Sequence, residues 1–590
     1  MIEIIYDGVV LDLADDEVVP ITKQVNEVGK LDSFKSDFTR EFKVKRTRKM
    51  EALFQNASSV NSETNLPYEE LEVKVKDGVE LIPKGRLAIN KSDNQYYYCS
   101  IYSGASFIFD TLKELTINNI DLSDLAHTWD AITAANSLKN NSDYQYLLAD
   151  YSDDGLLVGN TDPLQFKAEE LRCCVRVKYI FDKIFEGYKL ENDIANDEYF
   201  KRLFIPISTL KTVKEAAHGY LSQAEGQVKY NDNNVYLDTI TYDPFNNISN
   251  NTYTAQITGT HYFSLFPLTL FGATSFEAIV GGVSVSNYLG RDIFGIYISV
   301  DLTVGDEVSF IVFGGIATHY DVMFKCYNID PVQIGFTSIV NPSYYLPAIN
   351  QAEFVKSICG FFGLVPDYDF ITNTIKLWSI NRLYENKYIA KDWSEYLSVE
   401  DEVLNFRLDY ARLNRFKWKE DKDVGTGNGD AMFAVNDFNL PKEKTILEMP
   451  MAGCDEVIHS GEKMARIGWY ETIPNSADYK QKESITPRMV LREPMAVATK
   501  IGAQSLTIAQ SFKATSIDLQ VSIAYNDATV RMLRQTKKMV VKMNLPKNEI
   551  ESFDPKIPVY IKQYSAYFYV PKISNFIPNM LCEVELIRLP

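Results

Sequence analysis

One stretch in the middle of the chain shows a helical pattern of apolar residues followed by the pattern of a strand. Four apolar residues recur at i, i+4, i+7 and i+8, the spacing of one buried helix face: Phe354, Ile358, Phe361 and Phe362. Gly363 stands where helices commonly end in a left-handed residue, and Pro366 prevents continuation. Thr374 to Ile380 alternates as a strand does. Residues 346–422 therefore predict a helix that feeds a meander of strands.

A second stretch repeats this order of elements nearer the N-terminus. The pattern predicts a helix from Cys173 to Leu190 and then an extended run from Tyr199 to Ile207. The buried face of this helix would carry Val177, Ile180, Phe181, Ile184 and Phe185. Both stretches place aromatic residues before a glycine, here Gly187, and then continue as strands. This similarity indicates two related helix–strand units.

Much of the remaining chain consists of short alternating runs bounded by Asn, Asp and Gly, which predict strands. The chain opens with a hairpin whose turn is Asp7-Gly8. The end combines a helix over residues 526–537 with four strands, which span Met539 to Leu545, Pro558 to Gln563, Tyr567 to Ile573 and Leu581 to Leu589. The fold class is therefore mainly β with short helices (α+β).

Shifts in this pattern divide the chain into five segments. They are residues 1–125 (an N-terminal β domain), 126–227 (a polar connection and the first helix–strand unit), 228–340 (an inserted β-sandwich), 341–525 (the second helix–strand unit with long loops) and 526–590 (a C-terminal β segment). Within the fourth segment, the glycine-rich run from Asp423 to Asp430 predicts a mobile loop tip.

Composition and charge narrow the class of protein. Apolar residues make up 46% and charged residues 24% of the chain, as in globular rather than disordered proteins. The formal net charge of −19 repels phosphate backbones, so direct nucleic-acid binding is not expected. The seven cysteines are scattered without a Cys-x-x-Cys pair, which predicts reduced core thiols and assembly in a cytosol. The first residues have neither a basic stretch nor a long apolar stretch, so we expect no secretory leader, and no run of about 18 apolar residues occurs in the sequence.

No arrangement of residues predicts catalysis, a cofactor or a metal, so we expect no catalytic, cofactor-binding or metal-ligating residues and no enzyme activity. No two histidines have metal-ligand spacing among His127, His218, His261, His319 and His459. The glycine-rich run lacks both the Lys-Ser/Thr of a phosphate loop and the spacing of an EF-hand. Three acidic clusters are expected to be solvated turns rather than a glycosidase pair: Asp15 to Glu17, Asp153-Asp154 and Glu400 to Glu402.

One basic run, from Arg40 to Lys49, interrupts this acidic chain. On a strand, Lys43 and Lys45 would share one face, and Phe42, Val44 and Arg46 the other. The favoured interpretation is a charged edge strand that discourages sheet aggregation. The alternative is a docking patch for an acidic neighbouring subunit.

Resemblances to two known families predict the architecture of the chain. Residues 228–340 resemble the jelly roll of tumour-necrosis-factor-like and carbohydrate-binding domains, through Thr258 to Ser264 and Leu302 to Phe310. The chain as a whole resembles the tail hub proteins of bacteriophages, which are baseplate-hub or tail-tip structural proteins. This second likeness is carried by Phe354 to Asp369 with Ile375 to Trp378 and Lys391 to Ser394, and by Pro558 to Tyr564 with Phe568 to Ile573 and the last strand. Leu31 to Val44 is also similar to structural proteins of phages that infect gut Bacteroidetes-type hosts.

The hub resemblance implies a trimer that closes or extends the tail tube, in which each chain supplies two related hub-type β-barrel modules and the inserted jelly roll projects outward. It implies a virion tail protein assembled in the host cytoplasm. The implied partners are further copies of the chain (a trimer, with a hexamer possible), the tube, distal-tail, tape-measure and fibre proteins, and a host-surface glycan on the jelly roll. Two alternatives remain open: a distal-tail adaptor ring, and a surface protein that binds or, less readily, cleaves glycans.

Overall fold

Strands dominate the fold, as the sequence predicts. A computed structural model describes residues 2–25, 37–69, 71–103, 109, 111–139, 141–152, 164–166, 170–208, 220–228, 235–242, 248–249, 252–255, 259–267, 272–285, 287–291, 296–303, 305–315, 320–327, 339–369, 372–398, 402–425, 427–472, 479–482, 484–497, 499–501, 506–508 and 511–590. The α-helices of these residues are short: Arg48–Leu53, Ala131–Lys139, Val177–Ile184, Glu198–Lys201, Gln351–Phe362, Arg382–Glu385, Gln520–Tyr525, Asp527–Arg534 and Lys547–Glu551. None of the helices in this part of the chain is long and apolar enough to cross a membrane.

The two ends of the chain meet in one large sheet of 14 strands. In spatial order its main path is Val9–Val10, Glu3–Tyr6, Leu71–Asp77, Val79–Ser92, Tyr96–Ser103, Asp37–Thr39, Ile21–Gln24, Ala566–Phe576, Cys582–Leu589, Lys538–Met543 and Val403–Asn405. Three more strands branch from it: Phe42–Lys45, Val559–Ile561 and Lys391–Asp392. The apolar faces of these strands enclose what we call the terminal core, which joins residues 4–101 to residues 539–586.

The middle of the chain builds a separate hydrophobic cluster, the central core, around the two helix–strand units. The two units meet in one three-stranded sheet, in which Lys189–Asn192 pairs in parallel with Thr374–Ser379 and the latter pairs with Leu364–Asp369. Their aromatic side chains also meet, because the Phe200 ring lies 5.8 Å from Phe181 and 5.3 Å from Phe362 between centroids. The two similar stretches of sequence therefore pack as a pair.

Four further sheets complete the central part of the fold. A five-stranded sheet contains Tyr144–Gln145, Cys174–Arg176, Leu203–Pro206, Val490–Pro494 and Phe512–Thr515. A four-stranded sheet contains Asp150–Ser152, Asp455–His459, Glu462–Thr472 and Tyr479–Gln481. Two three-stranded sheets contain Leu164–Phe166, Thr499–Ile501 and Leu506–Ile508, and Leu413–Lys417, Ala431–Ala434 and Glu443–Glu448. Ile339–Val340 pairs alone with His127–Thr128.

Residues 220–327, called the sandwich below, form two antiparallel sheets. One has the order Val235–Tyr242, Tyr220–Val228, Tyr320–Tyr327, Gly259–Pro267, Ile296–Leu302 and Asn287–Arg291, and the other the order Ile248–Ser249, Thr252–Thr254, Glu307–Gly315, Gly272–Val280 and Val283–Ser284. The sheets pack face to face, since the buried Phe263 ring of the first lies 5.2 Å from Tyr253 and 5.0 Å from Phe310 of the second.

The predicted helix of the second unit is confirmed in detail. Its four stripe residues are fully buried. The Asn350 side chain accepts a hydrogen bond from the Glu353 backbone N–H at 3.1 Å, which caps the start of the helix. Gly363 ends it in the left-handed region with φ 60°. The opening hairpin is also confirmed, with Asp7 and Gly8 both at positive φ.

The extended run predicted from Tyr199 to Ile207 is a strand only over Leu203–Pro206, because Glu198–Lys201 is helical. Two further expectations about secondary structure are wrong. The helix predicted from Cys173 to Leu190 covers only Val177–Ile184, because Cys174–Arg176 is fully buried as a strand between two neighbours of the five-stranded sheet. The polar connection predicted at the start of the segment 126–227 contains the helix Ala131–Lys139 and a buried run, Tyr146 to Ala149, that belongs to the central core. In both places tertiary burial overrides local pattern. The described sheets are open paths of strands, and the two β-barrel modules stay a prediction.

Candidate functional site

The described histidines lie apart and each has a local partner. Their ring nitrogens are hydrogen-bonded at 2.8–3.1 Å, in the pairs His127–Tyr146, His261–Tyr253 and His459–Asp150. His218 and His319 lie outside the described residues. Among those that are described, no group of three His, Cys, Asp or Glu side chains could hold a metal ion.

The side chains of six cysteines are described, and all six are buried and free: Cys99, Cys173, Cys174, Cys359, Cys454 and Cys582. Burial raises the pKa of the Cys174 thiol to about 12. Such thiols stay protonated near neutral pH and are poor nucleophiles. Cys326 belongs to the strand Tyr320–Tyr327, and its side chain lies outside the described part of the structure.

The glycine-rich run is packed at Gly429, whereas Gly427 and Asn428 are exposed, and the mobility of its tip stays a prediction. A Cβ added to Gly429, which has φ 75°, would stand 2.8 Å from the Ile517 carbonyl oxygen and 3.0 Å from the Trp418 indole nitrogen. The Asp455 carboxylate accepts hydrogen bonds from the Asn428 side chain and from the Gly425 backbone N–H. Gly429 is therefore needed for close packing against Trp418.

A buried ion pair lies beside this loop. Asp421 and Arg488 are 3.1 Å apart, and each side chain is 2% exposed. Burial by itself would raise the pKa of the Asp421 carboxyl, but the Thr486 hydroxyl, the Asp423 backbone N–H and Arg488 together hold that pKa below its usual value. The carboxylate thus stays ionised and paired, which suits a structural role.

The acidic clusters lie apart as well, as far as they are described. Asp15 forms an ion pair with Lys45, and Glu402 accepts a hydrogen bond from the Tyr564 hydroxyl. Asp153, Asp154, Glu400 and Asp401 lie outside the described residues.

Three side chains of the basic run in the N-terminal segment pair with carboxylates of their own chain. Lys45 contacts Asp15 at 2.5 Å, Arg46 contacts Glu51 at 2.6 Å, and Lys49 contacts Asp12 at 3.5 Å. Lys43 lies over the rings of Tyr96 and Tyr98, 5.7 and 5.8 Å from their centroids. The ion pairs neutralise Lys45, Arg46 and Lys49, and they favour the interpretation of a local, protective role.

The most distinctive surface is an apolar edge of the large sheet. Val403–Asn405 pairs on one side with Lys538–Met543, and no described strand pairs with its other side. Val403, Leu404 and Phe406 are 54%, 42% and 62% exposed. We call Val403–Asn405 together with Phe406 the bare edge. An edge of this kind invites pairing with another strand unless it is protected.

A second surface feature is a cavity of about 410 Å³ between the two cores. Asp37 and Glu80 line it from the large sheet, and Asp367 and Asp369 line it from the strand that follows Gly363. Lys23 contacts Asp37 at 3.0 Å and Lys376 contacts Asp369 at 3.4 Å. Burial, and secondarily the charge of Asp37, raises the pKa of the Asp367 carboxyl. The cavity therefore concentrates carboxylates at the junction of the two cores.

Comparisons with known proteins give no family. No family model and no curated protein matches the chain. Among solved structures, the chain is similar to the 43 kDa tail protein of prophage MuSo2 from Shewanella oneidensis, with 6% identity, a TM-score of 0.32, and coverage of 100% of this chain and 98% of that chain. It is also similar to the globular domain of zebrafish complement 1qA protein, with 13% identity, a TM-score of 0.13, and coverage of 18% and 95%. At these scores neither likeness assigns a fold or a function.

Proposed function

We propose that this chain is a structural protein of a bacteriophage tail, a hub or tail-tip protein that closes or extends the tail tube and anchors fibre or receptor-binding proteins. The observation that carries the proposal is the pairing of the two helix–strand units. Their strands share a sheet through Lys189–Asn192 and Thr374–Ser379, and their aromatic residues meet at Phe200. Two related units in one chain let three chains present six similar surfaces, as a tail tube of sixfold symmetry requires.

The sandwich supports the outward-facing part of the proposal. In its six-stranded sheet, the strand Tyr220–Val228 lies beside the last strand, Tyr320–Tyr327, and the latter lies beside Gly259–Pro267. In its five-stranded sheet, Glu307–Gly315 lies between Thr252–Thr254 and Gly272–Val280. This alternation of early and late strands is that of a jelly roll. We assign the sandwich as a jelly roll that attaches fibres or contacts a host-surface glycan.

The proposed protein is not an enzyme and needs no cofactor. Its partners are its own copies, with a trimer favoured over a hexamer, and the tube, distal-tail, tape-measure and fibre proteins. It is a component of the virion tail and is assembled in the host cytoplasm.

Two measurements test this function. Mass spectrometry of purified virions, with cryo-electron microscopy of their tails, should find the chain at the tail tip. Mass photometry of the isolated chain should give three copies of 67.2 kDa. Six copies would favour a distal-tail adaptor ring, and absence of the chain from virions would refute the proposal. Hydrolysis of a polysaccharide would favour the glycan-cleaving alternative.

A further inference from the structure

We propose that the bare edge pairs with a strand from a second copy of this chain. The inference rests on the proposed function and names the surface through which its ring of copies would form. Backbone N–H and C=O groups of Val403–Asn405 would extend the large sheet into the neighbouring copy. The apolar side chains beside them would be buried by the same contact.

Two other outer strands of the large sheet are protected, and the contrast identifies the bare edge. The Val10 carbonyl accepts a hydrogen bond from the Lys49 ammonium at 2.7 Å. The strand Phe42–Lys45 is covered on its outer side, where the Lys45 N–H donates to the Asp12 carbonyl at 2.7 Å. Lysines and covering segments are the usual means of blocking a sheet edge. Neither covers Val403–Asn405 among the residues that the structure describes.

The surroundings of the bare edge have the composition of an interface. Phe438, which is 77% exposed, belongs to the same surface, because Asp437 contacts Arg407 at 3.4 Å and thereby joins its loop to the segment after Phe406. Beneath the Phe438 ring, the Arg412 guanidinium lies 4.8 Å from the ring centroid. Aromatic and arginine side chains are enriched at protein–protein interfaces, and exposed apolar patches often mark such interfaces.

The net charge of the chain indicates which partner the bare edge binds. The run Val403 to Phe406 is uncharged, whereas the chain carries a net charge of −19. Two copies of so acidic a chain repel each other, so a contact between copies is most favourable where both contribute uncharged surface. The bare edge therefore fits a second copy of this chain.

The test replaces the apolar side chains with carboxylates in the full-length chain. We expect the double variant Leu404→Asp/Phe406→Asp to weaken self-association about 100-fold or more, because two charges would be buried at the contact. The matched control is Val60→Asp, which changes a fully exposed valine elsewhere (101% exposed) and should assemble as the unaltered chain does. Mass photometry over a dilution series gives the dissociation constant, and circular dichroism checks that each variant folds.

Hydrogen exchange supplies a second readout that does not depend on substitutions. The backbone amides of Val403–Asn405 should exchange more slowly in the assembled chain than in the dilute monomer. An oligomer that survives the double substitution, unchanged exchange on assembly, or an unaltered chain that stays monomeric would each overturn the proposal. Self-association through the bare edge in a protein absent from virions would uphold this contact and refute only the tail function.

Discussion

Phe361 lies at the contact between the second helix–strand unit and its surroundings. Its ring is fully buried, 4.8 Å from Phe362 and 6.1 Å from Tyr199 between centroids. Replacing it with alanine removes the ring and leaves a cavity, so we expect Phe361→Ala to lower the free energy of unfolding by about 3–5 kcal/mol. Denaturant unfolding followed by tryptophan fluorescence measures the loss.

The control for this substitution is Tyr388→Ala, which removes an aromatic ring that is 84% exposed. It should change the free energy of unfolding by no more than about 0.5 kcal/mol. If Phe361→Ala cost as little as the control, the buried helix face would be assigned wrongly.

Asp367 should make the junction of the two cores sensitive to pH. Its carboxyl faces Asp37, Asp554 and Lys376, and it is burial first and the charge of Asp37 second that raise its pKa in the folded chain. Because the folded-state pKa is raised, the stability that the neutral Asp367 carboxyl contributes is fully present below the unfolded-state pKa. This stability is lost as the pH rises through the folded-state pKa.

We therefore expect Asp367→Asn, which mimics the neutral acid at every pH, to raise the melting temperature at neutral pH and to leave it little changed at pH values below the ordinary pKa of Asp. Thermal unfolding of both proteins across this range measures the difference. The matched control is Asp369→Asn, which removes a carboxylate paired with Lys376 and should not stabilise the fold at neutral pH. A melting temperature that Asp367→Asn lowers at neutral pH would contradict the assignment.

At the scale of elements, the two glycines that follow the helices of the two units differ in role. Gly363 has φ 60°, and an added Cβ would stand 2.6 Å from the Tyr525 carbonyl oxygen. Gly187 has no atom within 4 Å of such a Cβ and no positive φ. In the sequence both glycines look like residues that end a helix. Only at Gly363 do the backbone conformation and close packing require a glycine.

This difference provides an internally controlled experiment. Gly363→Ala should lower the free energy of unfolding by about 2 kcal/mol or more, because it combines left-handed strain with a backbone clash. Gly187→Ala should stay within about 1 kcal/mol of neutral. Chemical denaturation of the two variants measures both, and equal losses would show that the units end their helices in the same way.

At the scale of the whole molecule, the sandwich behaves as an insertion in the chain. The Ser208 backbone N–H, just before it, donates to the Tyr345 carbonyl, just after it, at 2.9 Å. The path therefore leaves and re-enters the central core at neighbouring points, and a short linker can join them.

We expect a chain in which a glycine–serine linker replaces residues 209–338 to fold with both cores intact. Circular dichroism and one-dimensional NMR should show a folded β-rich protein. The shortened chain should form an oligomer with the same number of copies as the full chain. Loss of cooperative unfolding in the shortened chain would mean that the sandwich is a structural part of the cores rather than an addition to them.

Local pattern predicted those elements whose two faces differ in burial. The buried helix face at Phe361, the cap at Gly363, the Asp7-Gly8 turn and the C-terminal strands could be found in this way, because each is specified by residues close in sequence. The strand Cys174–Arg176 could not, since all three of its residues are buried and such a run has no period that separates it from a helix.

The sequence by itself determined a mainly β chain with short helices, two helix–strand units of similar pattern and reduced, buried cysteines, because these follow from periodicity, glycine positions and composition. Only the tertiary structure decided that both ends of the chain share one sheet, that the basic run is paired with its own carboxylates, and that Val403–Asn405 is a bare edge. These three features depend on contacts between residues far apart in sequence. The sequence alone does not show whether a given apolar residue is buried or exposed.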